Sequence, residues 1–242
     1  MNAIETERLT KRYKDVTAVD GLSLTVGQGE FFSLLGVNGA GKSTTIRMLC
    51  TLTRPTSGDA RLMGHSVQTD AAEVKAIIGV SPQETAVAPH LTVWENLSLM
   101  GGLHGFPKEK SRSESERLMA QMGLETVRNK RAGRLSGGYQ RRLSIAMALV
   151  TDPQILFLDE PTLGLDVLAR EEMWQVIRGL RGRTTVVLTT HYLEEAEALS
   201  DRIGIMGGGR LLRLGAAAEL TAQTGEASFE RAFVKIAREG LK

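Results

Sequence analysis

The sequence predicts an α/β fold in which a mainly parallel sheet is covered by helices on both faces. Three nearly unbroken runs of apolar or β-branched residues, at 31–35, 155–158 and 184–189, are typical of buried central strands. Helical patterns follow the first two runs, at residues 42–49 and 173–180. This alternation of strand and helix is the pattern of a layered domain.

The remaining segments extend this core. Residues 22–26 alternate between apolar and polar, which predicts a half-exposed antiparallel strand. Region 83–150 contains prolines and a charged, helix-prone run but no strand signal, so we interpret it as a helical insert. Three glycines at 207–209 separate two short apolar runs, which indicates a hairpin. Near the C-terminus, the spacing of three apolar residues predicts an amphipathic helix that carries them on one face: Phe229, Phe233 and Ile236.

The composition indicates a globular protein of one large or two small domains, since the chain has 242 residues, of which 42% are apolar. The 30 basic and 28 acidic residues leave a net charge of +2, which gives no electrostatic reason to propose nucleic-acid binding. The single cysteine, Cys50, excludes an internal disulfide. No secretory signal and no apolar stretch of roughly 18 residues is visible, so we expect a soluble cytoplasmic protein.

Residues 36–44 satisfy G-x-x-x-x-G-K-[ST], the phosphate-binding pattern of P-loop NTPases, and lie between a predicted strand and a predicted helix. Glycines let the backbone approach a ligand closely, so that successive amides converge on one anion at a helix N-terminus. We expect Lys42 to pair with the β- and γ-phosphates of a nucleotide and the Ser43 hydroxyl to bind Mg²⁺. The predicted nucleotide-binding residues of this loop are Gly36, Asn38, Gly39, Ala40, Gly41, Lys42, Ser43 and Thr44.

The buried run at 155–158 ends in two carboxylates, Asp159 and Glu160. Neighbouring strand residues point to opposite faces, so we expect the two acids to have separate roles. Asp159 suits Mg²⁺, through water. Glu160 is then free to face the γ-phosphate and to orient or deprotonate an attacking water.

Residues 135–140, Leu-Ser-Gly-Gly-Tyr-Gln, predict a second helix start with exposed amides. Alone, this pattern is typical of an ordinary N-cap. Because it lies between the phosphate loop and the strand that ends in two acids, it resembles the signature sequence of ABC transporter ATPase subunits. The resemblance covers essentially the whole chain, with the motifs in the family's order.

The resemblance implies a role for further residues. Tyr13 is similar in position to the aromatic residue that stacks on adenine, and Gln83 to the glutamine that contacts Mg²⁺ and joins the core to the helical insert. His191 resembles the switch histidine at the γ-phosphate. Four signature residues are implied to bind the nucleotide of an opposite subunit: Ser136, Gly137, Gly138 and Gln140.

Two positions depart from the family pattern in the loop after Glu160. Leu163 stands where a small polar residue is usual, and Val167 where a proline often follows Asp166. In the family this loop contacts the other subunit, so Leu163 puts one hydrogen bond across a dimer in question.

The resemblance implies a homodimer that closes on two Mg·ATP and drives separate membrane permease subunits, from the inner face of the cell membrane. We predict an ATP-binding core at 1–84 and 150–215 with an antiparallel β subdomain, a helical signature subdomain at 85–149 that contacts the permease, and a short C-terminal helical extension at 216–242.

The region around His191 and the short tail at 228–233 are similar to ATPases of the drug-resistance and sodium-export type, which predicts export. Two alternatives are an importer ATPase and a non-transport ATPase of the same type that acts on nucleic acid. The second is disfavoured because the chain has one phosphate loop and no sustained heptads.

Overall fold

A computed structural model describes residues 1–239. Its larger sheet has six strands in the order β10-β9-β3-β8-β7-β6, and all neighbours are parallel except the β9–β10 pair at one edge. The predicted parallel sheet is therefore confirmed, and the three predicted central strands lie side by side within it. The strands are β3 (Phe31–Leu35), β6 (Ile78–Ser81), β7 (Ile155–Asp159), β8 (Thr185–Thr190), β9 (Arg202–Gly207) and β10 (Arg210–Gly215).

A second, antiparallel sheet has the order β2-β1-β4-β5. Its first hairpin pairs β1 (Asn2–Tyr13) with β2 (Val16–Gly27), and the alternating burial of Leu22, Leu24 and Val26 matches the predicted half-exposed strand. The antiparallel β subdomain of the prediction is thus present. Its other strands are β4 (Ser57–Leu62) and β5 (His65–Ser66).

The helices cover the larger sheet and fill the insert. Helix α1 starts and ends at the residues that the sequence predicts, and α3 to α5 form the helical region between β6 and β7. Within the described part of the chain, every helix is too short or too polar to span a bilayer. The helices are α1 (Lys42–Leu49), α2 (Ala71–Ile77), α3 (Val93–Leu103), α4 (Lys108–Gln121), α5 (Gly137–Ala148), α6 (Val167–Arg178), α7 (Leu193–Leu199), α8 (Ala217–Thr224) and α9 (Phe229–Glu239).

Three apolar clusters hold these layers together. One lies between the two sheets and includes Phe32 and Phe157, a second joins the helical insert to the larger sheet, and a third lies beneath α9. Phe229 and Ile236 are buried in the third cluster, with Phe233 packed against it, as the amphipathic pattern predicts. Cys50 is buried among apolar residues of the first cluster.

The domain boundaries stay a prediction, because the elements form a continuous set of packed layers. Residues 240–242, the end of the predicted C-terminal extension, lie outside the described residues.

Candidate functional site

The phosphate loop joins the end of β3 to the start of α1. Gly41 immediately precedes the helix with φ +101°, a left-handed conformation that favours glycine. A Cβ atom on Gly41 would lie 2.4 Å from the carbonyl oxygen of Ala18. Gly41, the second glycine of the motif, therefore has no room for a side chain, because its φ is positive and the backbone of β2 lies close to it.

The Lys42 side chain lies inside this loop and is only 6% exposed. Its ammonium donates hydrogen bonds to the carbonyl oxygens of Gly36 at 2.7 Å and Val37 at 3.3 Å, and lies 3.8 Å from Oε1 of Glu160. Burial lowers the pKa of Lys42, and the nearby charges of Glu160 and Asp159 partly oppose that shift. The ammonium is thus a positive charge fixed at the centre of the loop.

Oxygen donors that suit Mg²⁺ lie beside the lysine. The Ser43 hydroxyl donates to Oδ1 of Asp159 at 3.1 Å, and the Thr189 hydroxyl donates to the same carboxylate oxygen. Gln83 lines the cavity next to them. Within residues 1–239, no cluster of three or more His, Cys, Asp and Glu could hold a metal ion alone. This set fits Mg²⁺, which keeps most of its waters and needs few protein oxygens.

The strand alternation assumed for Asp159 and Glu160 does not extend to Glu160, although each of the two acids makes its own contact with the phosphate loop. β7 ends at Asp159, and Glu160 has φ +51°, outside strand geometry. This backbone turn brings Glu160 to Lys42 while Asp159 contacts Ser43, so both carboxylates reach the phosphate loop. Oε2 of Glu160 also lies 2.8 Å from Nδ1 of His191.

Lys42, Ser43, Glu160 and His191 line one cavity of about 580 Å³, a size typical of small-molecule sites. Its walls are the phosphate loop, the start of β2, and six residues from other segments: Gln83, Glu160, Leu163, His191, Gly208 and Gly209. Tyr13 is not among the lining residues. It lies at the end of β1, opposite Val16, which does line the cavity. Tyr13 is 44% exposed, and the Lys11 ammonium lies 4.9 Å from the centre of its ring.

The signature residues lie outside this cavity. Ser136 is the exposed N-cap of α5, and a Cβ on Gly138 would only touch Ala169, at 3.6 Å. Gln140 donates to the carbonyl oxygen of Leu135 at 3.2 Å. One chain therefore presents a phosphate loop and a signature helix start at two separate places.

Arg141, which the sequence analysis does not identify, connects the signature helix to the cavity. Its buried guanidinium donates to the carbonyl oxygens of Pro82 at 2.6 Å, Gln83 at 2.8 Å and Glu160 at 3.0 Å. Burial lowers the pKa of Arg141, and the charges of Asp159, Glu195 and Glu160 oppose that shift. In the sequence Arg141 and Arg142 look alike, and no local signal distinguishes the buried one.

Comparison with known proteins shows which family the chain belongs to. Residues 19–163 match the family model described as ABC transporter. The chain is 46% identical over 92% of its length to the daunorubicin/doxorubicin resistance ATP-binding protein DrrA of Streptomyces peucetius, covering 68% of that protein. It is 43% identical over 91% of its length to the Nod factor export ATP-binding protein I of Paraburkholderia xenovorans, covering 73% of it.

Two solved structures show the same fold. One is an ATP-binding cassette solved as a dimer in a post-hydrolysis state bound to ADP and Pi, with a TM-score of 0.78 at 29% identity, covering 88% of this chain and 98% of that one. The other is the ATP binding subunit of an ABC transporter, with a TM-score of 0.85 at 26% identity, covering 97% and 99%. The chain belongs to the ABC transporter family, as an ATP-binding subunit with ATPase activity.

Proposed function

We propose that two copies of this chain bind two Mg·ATP between them, and that their closure and hydrolysis drive export through separate membrane subunits. The observation that carries the proposal is the convergence of Lys42, Glu160 and His191 on one cavity, while the signature helix start lies apart from it. A complete site then needs the signature of a second copy.

The residues of the cavity have distinct roles in this proposal. Lys42 and the loop amides bind the triphosphate, because they form a positive pocket at a helix N-terminus. Glu160 orients and deprotonates the attacking water, and His191 contacts the γ-phosphate while its Nδ1 holds Glu160. Ser43, Asp159 and Gln83 would hold Mg²⁺, which neutralises phosphate charge when bound.

The signature residues contribute from the second copy. Ser136, Gly137, Gly138 and Gln140 begin helix α5, whose exposed amides favour an anion. In a two-fold symmetric dimer, the loop of each copy faces the signature of the other, so both sites form together. ATP then stabilises the closed dimer by binding both copies. That one of the structural relatives is a dimer bound to ADP and Pi supports this arrangement.

The helical insert supplies a contact surface for the membrane subunit. Leu99 and Leu103, one turn apart on α3, are 44% and 71% exposed, so they present two neighbouring large apolar side chains to solvent. A short amphipathic helix of a permease would bury such residues in a helix-in-groove contact. The chain would then work as a peripheral subunit at the inner face of the membrane.

The direction of transport rests on the relatives. DrrA is a drug-resistance protein by name and the Nod factor protein an export protein by name, which favours export over import. Purification of the chain from its native membrane in detergent tests this proposal. A permease that co-purifies without a solute-binding protein supports export, and a co-purified solute-binding protein would favour an importer.

The shared site is tested with Glu160→Gln, which keeps the shape of the side chain but removes the base. With Mg·ATP we expect this variant to double its mass in light scattering, because ATP is bound but not hydrolysed. The matched control adds Gly138→Asp, where the new Cβ would make only an ordinary contact with Ala169 at 3.6 Å and the carboxylate puts a negative charge where phosphate must approach. The control should bind ATP as a monomer. A dimer in the control, or a monomer in Glu160→Gln with bound ATP, would refute the shared site.

A further inference from the structure

Glu195 is a carboxylic acid at the start of α7 with no solvent exposure. Its Oε2 atom is buried and has no hydrogen-bond partner among the described residues. Buried acidic side chains are rare unless they are paired or perform a task. No role of the nucleotide cavity described above uses this group.

The other oxygen of Glu195 connects two elements. Oε1 accepts a hydrogen bond from the Thr162 hydroxyl at 2.8 Å and another from the Trp174 indole N–H at 3.2 Å. Thr162 is fully buried in the loop that follows Glu160, and the backbone N–H of Leu163 in that loop donates to the Glu160 carbonyl at 3.2 Å. Glu195 thus fixes this loop against α6.

The same helix start supports the switch histidine. Tyr192 precedes α7, its N–H donates to the Thr190 hydroxyl at 2.9 Å, and its ring centre lies 4.2 Å from that of His191. The carbonyl oxygen of Tyr192 accepts the backbone N–H of Ala196, one residue after Glu195. A displacement of Glu195 would therefore move both the loop beside Glu160 and the backbone that carries His191.

We propose that Glu195 is a positioning residue for ATP hydrolysis, which holds the loop at 160–166 and His191 in their working arrangement through Thr162 and Trp174. This inference rests on the proposed roles of Glu160 and His191. It concerns the rate of hydrolysis rather than the binding of ATP, because Glu195 does not line the cavity.

The environment of Glu195 favours the neutral acid. Burial raises its pKa, while the polar groups of Thr190, Thr162 and Trp174 around it act in the opposite direction. A glutamine has the same shape and keeps one carbonyl oxygen as acceptor for the Thr162 and Trp174 donors. Glu195→Gln should therefore preserve the arrangement that Glu195→Ala removes.

The test compares Glu195→Gln, Glu195→Ala and Thr162→Val in Mg-dependent ATP hydrolysis, with kcat expressed per ATP-binding site. Loss of two hydrogen bonds should lower kcat of the alanine variant by about tenfold, with KM for ATP within about twofold. Thr162→Val, which loses one bond, should lower kcat by about threefold. The glutamine variant should keep at least about half of the wild-type kcat.

Wild-type kcat in folded Glu195→Ala, or equal losses in the alanine and glutamine variants, would overturn the proposal. Should the alanine variant not fold, Thr162→Val decides: a lowered kcat with unchanged KM supports the role, and wild-type kinetics refute it. Glu160→Gln is measured in parallel. If that variant hydrolyses ATP normally, the proposed function fails, whereas an isolated failure at Glu195 leaves it intact.

Discussion

Replacing Arg141 by Met tests whether one buried guanidinium holds the signature helix to the catalytic loops. Methionine has similar length but no N–H groups, so the carbonyl oxygens of Pro82, Gln83 and Glu160 lose their donors at 2.6, 2.8 and 3.0 Å. Since Arg141 is 4% exposed, water does not replace these bonds without local rearrangement.

The expected loss follows from these three bonds. A hydrogen bond to a charged group contributes about 1.5–3 kcal/mol, so the sum is about 4.5–9 kcal/mol. Two effects reduce this sum. The Glu160 carbonyl still accepts a hydrogen bond from the Leu163 N–H at 3.2 Å, and the variant no longer has the unfavourable desolvation energy of a buried guanidinium. We expect a net loss of about 3 kcal/mol, which lowers Tm by about 6–12 °C in a chain of this length.

Thermal unfolding followed by circular dichroism measures the effect. The matched control is Arg142→Met on the same helix, where the guanidinium pairs with Glu172, whose side chain is 67% exposed. The Arg142 side chain is 14% exposed, but because its partner lies largely in solvent the pair should contribute only about 0–1 kcal/mol, so Tm should fall by at most about 4 °C. The reasoning is refuted if Arg141→Met unfolds within 2 °C of the wild type, taking about 1 kcal/mol as the limit, or if the two variants lose the same amount.

Three further predictions concern pH, a thiol and the metal. Because burial raises the folded-state pKa of Glu195 above its ordinary value of 4.5, this group loses its proton at lower pH in the unfolded chain than in the folded one. The stability of the wild type relative to Glu195→Gln should therefore fall as pH rises above 4.5. Urea unfolding at several pH values measures this difference, and a difference that does not change with pH contradicts the prediction. Burial, aided by the charge of Asp159, raises the pKa of Cys50. A thiol reagent should therefore react with Cys50 about a hundredfold faster in the denatured chain than in the folded chain. Equal rates in the two states would show that the thiol is accessible in the folded chain. Ser43→Ala should raise the Mg²⁺ concentration for half-maximal hydrolysis by about tenfold, whereas an unchanged requirement would remove Ser43 from the metal site.

The elements that were predictable from sequence are those whose pattern is local. Helix α1 follows from a glycine-rich motif that sets both its start and the preceding turn, and β8 from a run of six buried apolar and β-branched residues. The amphipathic α9 is visible from helical spacing alone, since its buried face packs on one cluster.

What the sequence does not reveal depends on contacts between distant segments. Arg141 and Glu195 have charged side chains, which usually indicate an exposed surface, and their burial is set by partners 19 to 59 residues away. The contact of Glu160 with Lys42 does not follow from strand alternation, which holds only while the strand continues, because a positive φ at Glu160 ends the strand there. Tyr13 follows the family's order along the chain, but order alone does not place its ring at the cavity.

The ammonium of Lys42 donates hydrogen bonds to the carbonyl oxygens of Gly36 and Val37 in its own loop. The group that is proposed to bind the triphosphate therefore also stabilises the conformation of the loop. Much of the entropy loss of shaping this pocket is therefore incurred when the chain folds, not when the nucleotide arrives. A Lys42→Ala variant would loosen the loop as well as delete a phosphate contact, and its affinity for ATP would report both losses at once. The loss of ATP affinity in such a variant is therefore larger than the free energy of a single ammonium–phosphate interaction.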